Sequence, residues 1–123
     1  MNNILVIDDE ESILLMLTRA LAKYGFNVEI ATDGIEGIKK FDKGHFDLVI
    51  TDILMPDLNG NDVVRHIRNS DKKYTPVIGI SGTPWRINVD NFDVVLPKPS
   101  SIKTLIDTVK NLTARPAMAI GYK

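Results

Sequence analysis

The sequence predicts an α/β domain, doubly wound around a mostly parallel sheet. Short apolar runs of strand length alternate with stretches of helical spacing, and this alternation marks strands joined by helical crossovers. Ile4-Leu5-Val6-Ile7 is apolar without interruption, as in a strand covered on both faces. The 123 residues suit one domain with a sizeable core, and 44% hydrophobic with 25% charged residues match a soluble globular chain.

Ile4 to Ile7 is the first strand. Ile13, Leu14, Leu17, Leu21 and Tyr24 then recur at helical spacing, and Gly25 offers a left-handed residue to end that helix. Val28 to Ala31 is a second, shorter strand. Thr32 or Asp33 caps the helix that follows, which carries Ile35, Ile38 and Phe41 to the core and closes at Gly44. Phe46, Leu48, Val49 and Ile50 form the third strand, which ends in Asp52 before the loop Met55-Pro56-Asp57-Leu58-Asn59-Gly60. Val63, Val64 and Ile67 face inward on a third helix, with Arg65, His66 and Arg68 on its other side. Pro76 to Ile80 makes strand four and Asp93 to Leu96 strand five. Ser100 or Ser101 caps the last helix, where Ile102, Leu105, Ile106, Val109 and Leu112 keep the three-and-four spacing. Right-handed crossovers place these helices on both faces of one sheet.

Fifteen basic against sixteen acidic residues give a net charge of -1, which removes the electrostatic argument for direct nucleic-acid or anionic-membrane binding. With no cysteine, disulfides, thiolate catalysis and Cys-ligated metal centres are excluded. The apolar run near the start lacks a preceding basic residue and is followed by two aspartates, unlike a signal peptide, and nothing approaches the roughly 20 apolar residues of a membrane span. A cytoplasmic protein is expected.

In doubly wound sheets ligands bind beyond the carboxyl ends of the strands. Strand one ends in Asp8-Asp9, strand three in Asp52, strand four in Ser81 and strand five in Lys98, flanked by Pro97 and Pro99. Three carboxylates converging on one rim repel each other unless a cation joins them, and few protein oxygens with room for water favour Mg²⁺ over Ca²⁺. A lysine and a hydroxyl on the same rim can hold a phosphoryl group, and a carboxylate can itself be the nucleophile. Asp52, after a central buried strand, is the best candidate. Taken singly each feature is bland: an acidic pair caps a helix, Ser81-Gly82 makes a turn, Lys98 is a surface charge. His45 and His66 are not spaced as a ligand pair, and Trp85 and Phe92 read as local packing.

The segments ILVIDDE at 4–10, DLVITDILMPDLNG at 47–60, Ile-Ser-Gly at 80–82 and LPKPSS at 96–101 resemble the receiver domain of two-component response regulators, in order and spacing over residues 3–113. The resemblance implies a flavodoxin-like five-stranded parallel sheet of order 2-1-3-4-5. It implies Asp52 as phosphoacceptor, and Mg²⁺ held by Asp8, Asp9, Asp52 and the backbone carbonyl of Leu54. It also implies that Ser81 and Lys98 meet the phosphoryl group, that Lys98-Pro99 is cis, and that Met55, Pro56 and Gly60 shape the loop after the phosphoacceptor. A histidine kinase or histidine phosphotransfer protein would be the donor.

Two departures from that pattern stand out. Ser81 and Lys98 are 17 positions apart, fewer than usual, and Pro84, Asn88, Asp90 and Asn91 make a poor helix, so the fourth helix, between strands four and five, is expected to be shortened or irregular. The switch aromatic falls at Val95. The positions that tune dephosphorylation in this family are Leu54 and Thr83, and apolar Leu54 cannot orient an attacking water, which predicts a long-lived phosphoryl group.

The expected organisation is a receiver over residues 1–113 and a tail or linker over 114–123, too short for a helix-turn-helix or a catalytic domain. The chain is then a stand-alone regulator or the receiver of a longer protein, with an unknown output partner. A receiver-like module that docks without phosphorylation is the alternative, but it predicts a lost acidic pair, phosphoacceptor or lysine. A phosphatase or nucleotide-binding enzyme on the same fold is a second rival, but this sequence has no glycine-rich phosphate loop after strand one.

Overall fold

The structure, a computed structural model, describes residues 2–82 and 91–114. The fourth-helix segment with Thr83 and Trp85, and nearly all of the tail, lie outside the described residues.

Five parallel strands form one sheet: β1 (Asn3–Ile7), β2 (Asn27–Ala31), β3 (Leu48–Asp52), β4 (Val77–Ser81) and β5 (Val94–Pro97), in the order β2-β1-β3-β4-β5. Four helices are described, α1 (Glu11–Lys23), α2 (Gly34–Lys43), α3 (Gly60–Arg68) and α4 (Ile102–Thr113). Successive strand residues point to opposite faces, which divides the core in two. Ile4, Val6, Leu48, Ile50, Ile78 and Ile80 pack against Leu14, Leu17 and Leu21 of α1 and Leu105, Ile106, Val109 and Leu112 of α4. Leu5, Ile7, Val49, Ile53 and Val77 pack against Phe41 of α2 and Val63, Val64 and Ile67 of α3. The continuous apolar runs thus feed two cores, the physical reason they do not alternate.

Local signals fix most of the ends. Gly25, at φ +90°, follows α1, and the N–H groups of Gly25 and Phe26 close the helix on the carbonyls of Ala22 and Leu21. Asp33 is the cap of α2 and Ser101 that of α4, their side chains accepting from the N–H groups of Glu36 and Thr104. Asn59 and Asp62 form a reciprocal capping box on α3.

Three expectations need correction. Ile35 is 50% exposed rather than in the core, because the buried face of α2 runs through Gly34, Gly37 and Phe41, one turn apart. Gly37 lets that helix approach β1 closely, since a Cβ there would fall 2.4 Å from Cδ1 of Ile7. Tyr24 and Ile102 are also exposed, each at a helix end where the apolar stripe has run past the sheet.

Candidate functional site

The carboxyl ends of β1, β3, β4 and β5 bring the expected residues to one rim. Asp8 follows β1 directly, with its N–H on the carbonyl of Ala31 at 3.1 Å and its Oδ1 accepting from the N–H of Glu10 at 2.9 Å. Asp52 is held by the strand ladder, and the next residue, Ile53, donates to the Ile80 carbonyl at 3.0 Å. Ser81 ends β4 and is buried, and its carbonyl accepts from the Lys98 N–H at 2.8 Å, so β4 sets where the lysine leaves the sheet. The Lys98-Pro99 peptide is cis.

Lys98 sits among carboxylates. Its Nζ lies 3.2 Å from Oδ2 of Asp52, 3.5 Å from Oε1 of Glu10 and 3.7 Å from Oδ2 of Asp8. Carboxylate oxygens of Asp8, Asp9, Glu10 and Asp52 all come within 4.8 Å of one another. Asp8 and Asp52 are buried, Asp9 and Glu10 exposed. Burial pushes the Asp8 carboxyl up to about 6, with the backbone donor at Glu10 opposing and the charge of Asp52 adding to the rise. Burial raises Asp52 as well, although Lys98 pulls the other way. At Lys98 burial favours the neutral amine, but Asp8, Asp52 and Glu10 outweigh it and hold the ammonium above its ordinary value.

Among the described residues the four carboxylates of this cluster have one ammonium beside them, which leaves an excess of negative charge. A donor set made only of carboxylate oxygens is that of a hard divalent cation, and it fits Mg²⁺. The raised Asp8 carboxyl is the signature of repulsion and desolvation that such a cation relieves.

The other expected residues frame this cluster. Leu54 lies two residues beyond Asp52 and is 60% exposed. Met55 is buried against the α2–α3 side, and Gly60 donates its N–H to the Ile53 carbonyl at 2.9 Å, closing the loop that holds Pro56. Asp57 in that loop has φ +64°. Val95 is half-buried and faces the α2–α3 core. His66 pairs with Asp42 at 2.8 Å, away from the rim, and Phe92 packs over Gly79. Glu10 is the site residue that sequence reasoning passed over. Its signal was present: a third acidic residue directly after the pair, of a type that seldom caps a helix.

The sheet order and this rim define a flavodoxin-like receiver fold. The chain belongs to the family of response regulator receiver domains, whose model matches residues 4–110. It is 32% identical over 117 residues to the transcriptional regulatory protein TrcR of Mycobacterium tuberculosis, covering 91% of this chain and 45% of that protein. Among solved structures it resembles the chemotaxis protein CheY4 of Vibrio cholerae, with a TM-score of 0.82 and 31% identity over 91% of this chain and 98% of that one. It also resembles the response regulator TrrA of Thermotoga maritima in complex with Mg²⁺-BeF, with a TM-score of 0.84 and 34% identity over 91% and 99% of the two chains. The chain spans about half or less of the length of the curated regulators it matches. Among the described residues, no helix is long and apolar enough to cross a membrane.

Proposed function

We propose that the chain takes a phosphoryl group from a phosphohistidine donor, a histidine kinase or histidine phosphotransfer protein, onto Asp52. A carboxylate oxygen of Asp52 attacks phosphorus, the P–N bond of the phosphohistidine breaks, and its electron pair returns to the imidazole, which takes up a proton. The chain thus acts as a signalling receiver that promotes its own phosphorylation and slow dephosphorylation. Asp8, Asp9, Asp52 and the Leu54 backbone carbonyl are the groups that would hold Mg²⁺. When bound, Mg²⁺ offsets the charge of the phosphoryl and carboxylate oxygens as they approach.

The observation that carries this reading is the 3.2 Å pairing of Lys98 with Asp52 inside the carboxylate cluster. An ammonium already beside the nucleophile needs little movement to meet a phosphoryl oxygen on it. The Ser81 hydroxyl, at the end of β4 between the two, is the second donor in the proposed phosphorylated state. Contacts from Ser81 and Lys98 that exist only in that state bias an equilibrium between two conformations, and Val95 on the adjacent strand is the position through which the change would pass. An output partner then reads the favoured conformation. Residues 1–113 form the receiver in this reading, 114–123 a tail or linker, and the setting is cytoplasmic, with no direct contact to nucleic acid or membrane.

Intact-protein mass after incubation with acetyl phosphate tests it. A single phosphoryl adduct is expected for the native chain with Mg²⁺, and none without Mg²⁺ or in Asp52→Ala. A folded native chain that binds Mg²⁺ yet gains no adduct would favour docking without phosphorylation.

A further inference from the structure

Lys98 is approached by carboxylates from two directions. Asp8 and Asp52 come from the sheet, whereas Glu10 comes from the start of α1, with its Oε1 3.5 Å from Nζ. Glu10 has no part in the phosphotransfer scheme above, although its backbone is tightly placed. Its N–H donates to Oδ1 of Asp8 at 2.9 Å, and its carbonyl accepts from the N–H groups of Ile13 and Leu14, both at 3.1 Å.

Glu10 is also the residue that caps α1, and there it departs from the other described helices. Asp33, Asn59 and Ser101 each turn a side-chain oxygen back onto an N–H of the first turn. Glu10 makes no such bond. A carboxylate at the start of a helix would ordinarily serve the unpaired N–H groups there. This one reaches across the rim to the lysine after β5 instead.

We propose that Glu10 is a positioning residue for Lys98: its carboxylate, the member of the cluster that comes from the start of α1, takes one N–H of the ammonium and so leaves the remaining donors to Asp8 and Asp52. An ammonium carries three N–H donors on a flexible stem, and a lysine paired only with Asp8 and Asp52 has one donor left without a carboxylate to hold it. With Glu10 holding that donor, Lys98 can pass from the Asp52 carboxylate to a phosphoryl oxygen on it without losing its orientation. The inference rests on the phosphotransfer reading and names the residue that prepares its lysine.

The test compares phosphorylation rates with acetyl phosphate, followed by intact mass, for the native chain, Glu10→Gln, Glu10→Ala, Lys98→Ala and the double variant Glu10→Ala/Lys98→Ala. Calorimetric Mg²⁺ titration of each protein sets a saturating concentration, so that lost metal affinity does not enter the rates. Glu10→Ala is expected to be slower by about 3- to 5-fold, the scale of one hydrogen bond. Glu10→Gln, which keeps an acceptor oxygen at the same reach, should retain most of the rate. In the Lys98→Ala background the Glu10→Ala change should have no further effect. If Glu10→Gln is as slow as Glu10→Ala, or if the loss persists without Lys98, Glu10 acts through its charge and the positioning role is overturned. An unchanged Glu10→Ala in a chain that is phosphorylated overturns this inference alone. A native chain that takes no phosphoryl group overturns the phosphotransfer reading and this inference with it.

Discussion

Lys98 and Asp52 form an ion pair, Nζ to Oδ2 at 3.2 Å, across β4, the strand that lies between theirs. They are 46 positions apart in the chain, and the sheet order brings them together. The Ser81 carbonyl takes the Lys98 N–H, so β4 both separates the partners and fixes their spacing. The one ammonium is shared with Asp8 and Glu10, which leaves the metal-free rim acidic and under repulsion.

Burial of Asp8, with that repulsion added to it, makes the stability of the metal-free protein depend on pH. The Asp8 carboxyl titrates near 6 in the folded chain against an ordinary 3.8, so between these values the folded state holds more protons than the unfolded one. Stability therefore falls as pH rises from about 4 to about 6 and levels off above, by on the order of 3 kcal/mol from this group. Asp52, also raised, adds a slope of the same sign. Urea unfolding in a chelator at pH 4.5 and pH 7 checks it, with Asp8→Asn expected to flatten the difference and Mg²⁺ to restore stability at pH 7. Stability that rises over this interval equally in both proteins would mean that Asp8 is not the group responsible.

Leu54, two residues beyond Asp52, is 60% exposed, and its side chain offers no hydrogen bond to a water attacking the proposed phosphoryl group. Leu54→Asn supplies an amide there and is expected to shorten the lifetime of the phosphoryl adduct several-fold, with little change in stability. Decay of the adduct by intact mass, after removal of acetyl phosphate, measures this. An equal lifetime would place control of hydrolysis elsewhere.

Gly60 cannot carry a side chain without moving the backbone at Asp52. A Cβ there would lie 2.6 Å from the Asp52 carbonyl oxygen and 2.7 Å from the Ile53 Cα, both backbone atoms that cannot step aside. Gly60→Ala should cost about 1–3 kcal/mol of stability and slow phosphorylation as well. Gly82 is the control: among the described residues, a Cβ there meets nothing within 4 Å. Similar unfolding midpoints for the two alanine variants would contradict the packing.

Arg68 fastens α3 to the segments that precede β4 and β5. Its guanidinium donates to the carbonyls of Asn91, Lys73 and Thr75 at 3.1, 2.9 and 2.7 Å, and to Oδ2 of Asp93 at 2.8 Å. Arg68→Ala leaves these acceptors without their donor and is expected to cost about 2–3 kcal/mol. Arg68→Lys should recover little, because one ammonium cannot span the fork. Denaturant midpoints of the three proteins decide it, and a lysine variant as stable as the native chain would refute the forked arrangement.

Much of this could be read along the chain because its signals are local. The apolar runs at 4–7 and 48–50 need only their neighbours to become strands, and Gly25, Asp33, Asn59 and Ser101 mark helix ends through bonds that span a few residues. The misplaced Ile35 shows where periodicity stops being enough. A glycine face, Gly34 and Gly37, buries as well as an apolar one when a helix must lie close to a strand, yet its lack of side chains hides it from an apolar count.

Composition and order along the chain were sufficient to determine a doubly wound α/β domain and to place Asp8, Asp9, Asp52, Ser81 and Lys98 at strand ends, because strand direction puts every such end on the same edge. Only the tertiary structure decided that Glu10 turns away from its own helix toward Lys98, and that Arg68, expected on the outer side of α3, bridges the segment 5 to 7 residues on to another 23 to 25 residues on. These choices depend on sheet order and on which charges end up buried together. Long flexible side chains select their partners only after the backbone has brought distant strands within reach, and nothing local in the sequence encodes that distance.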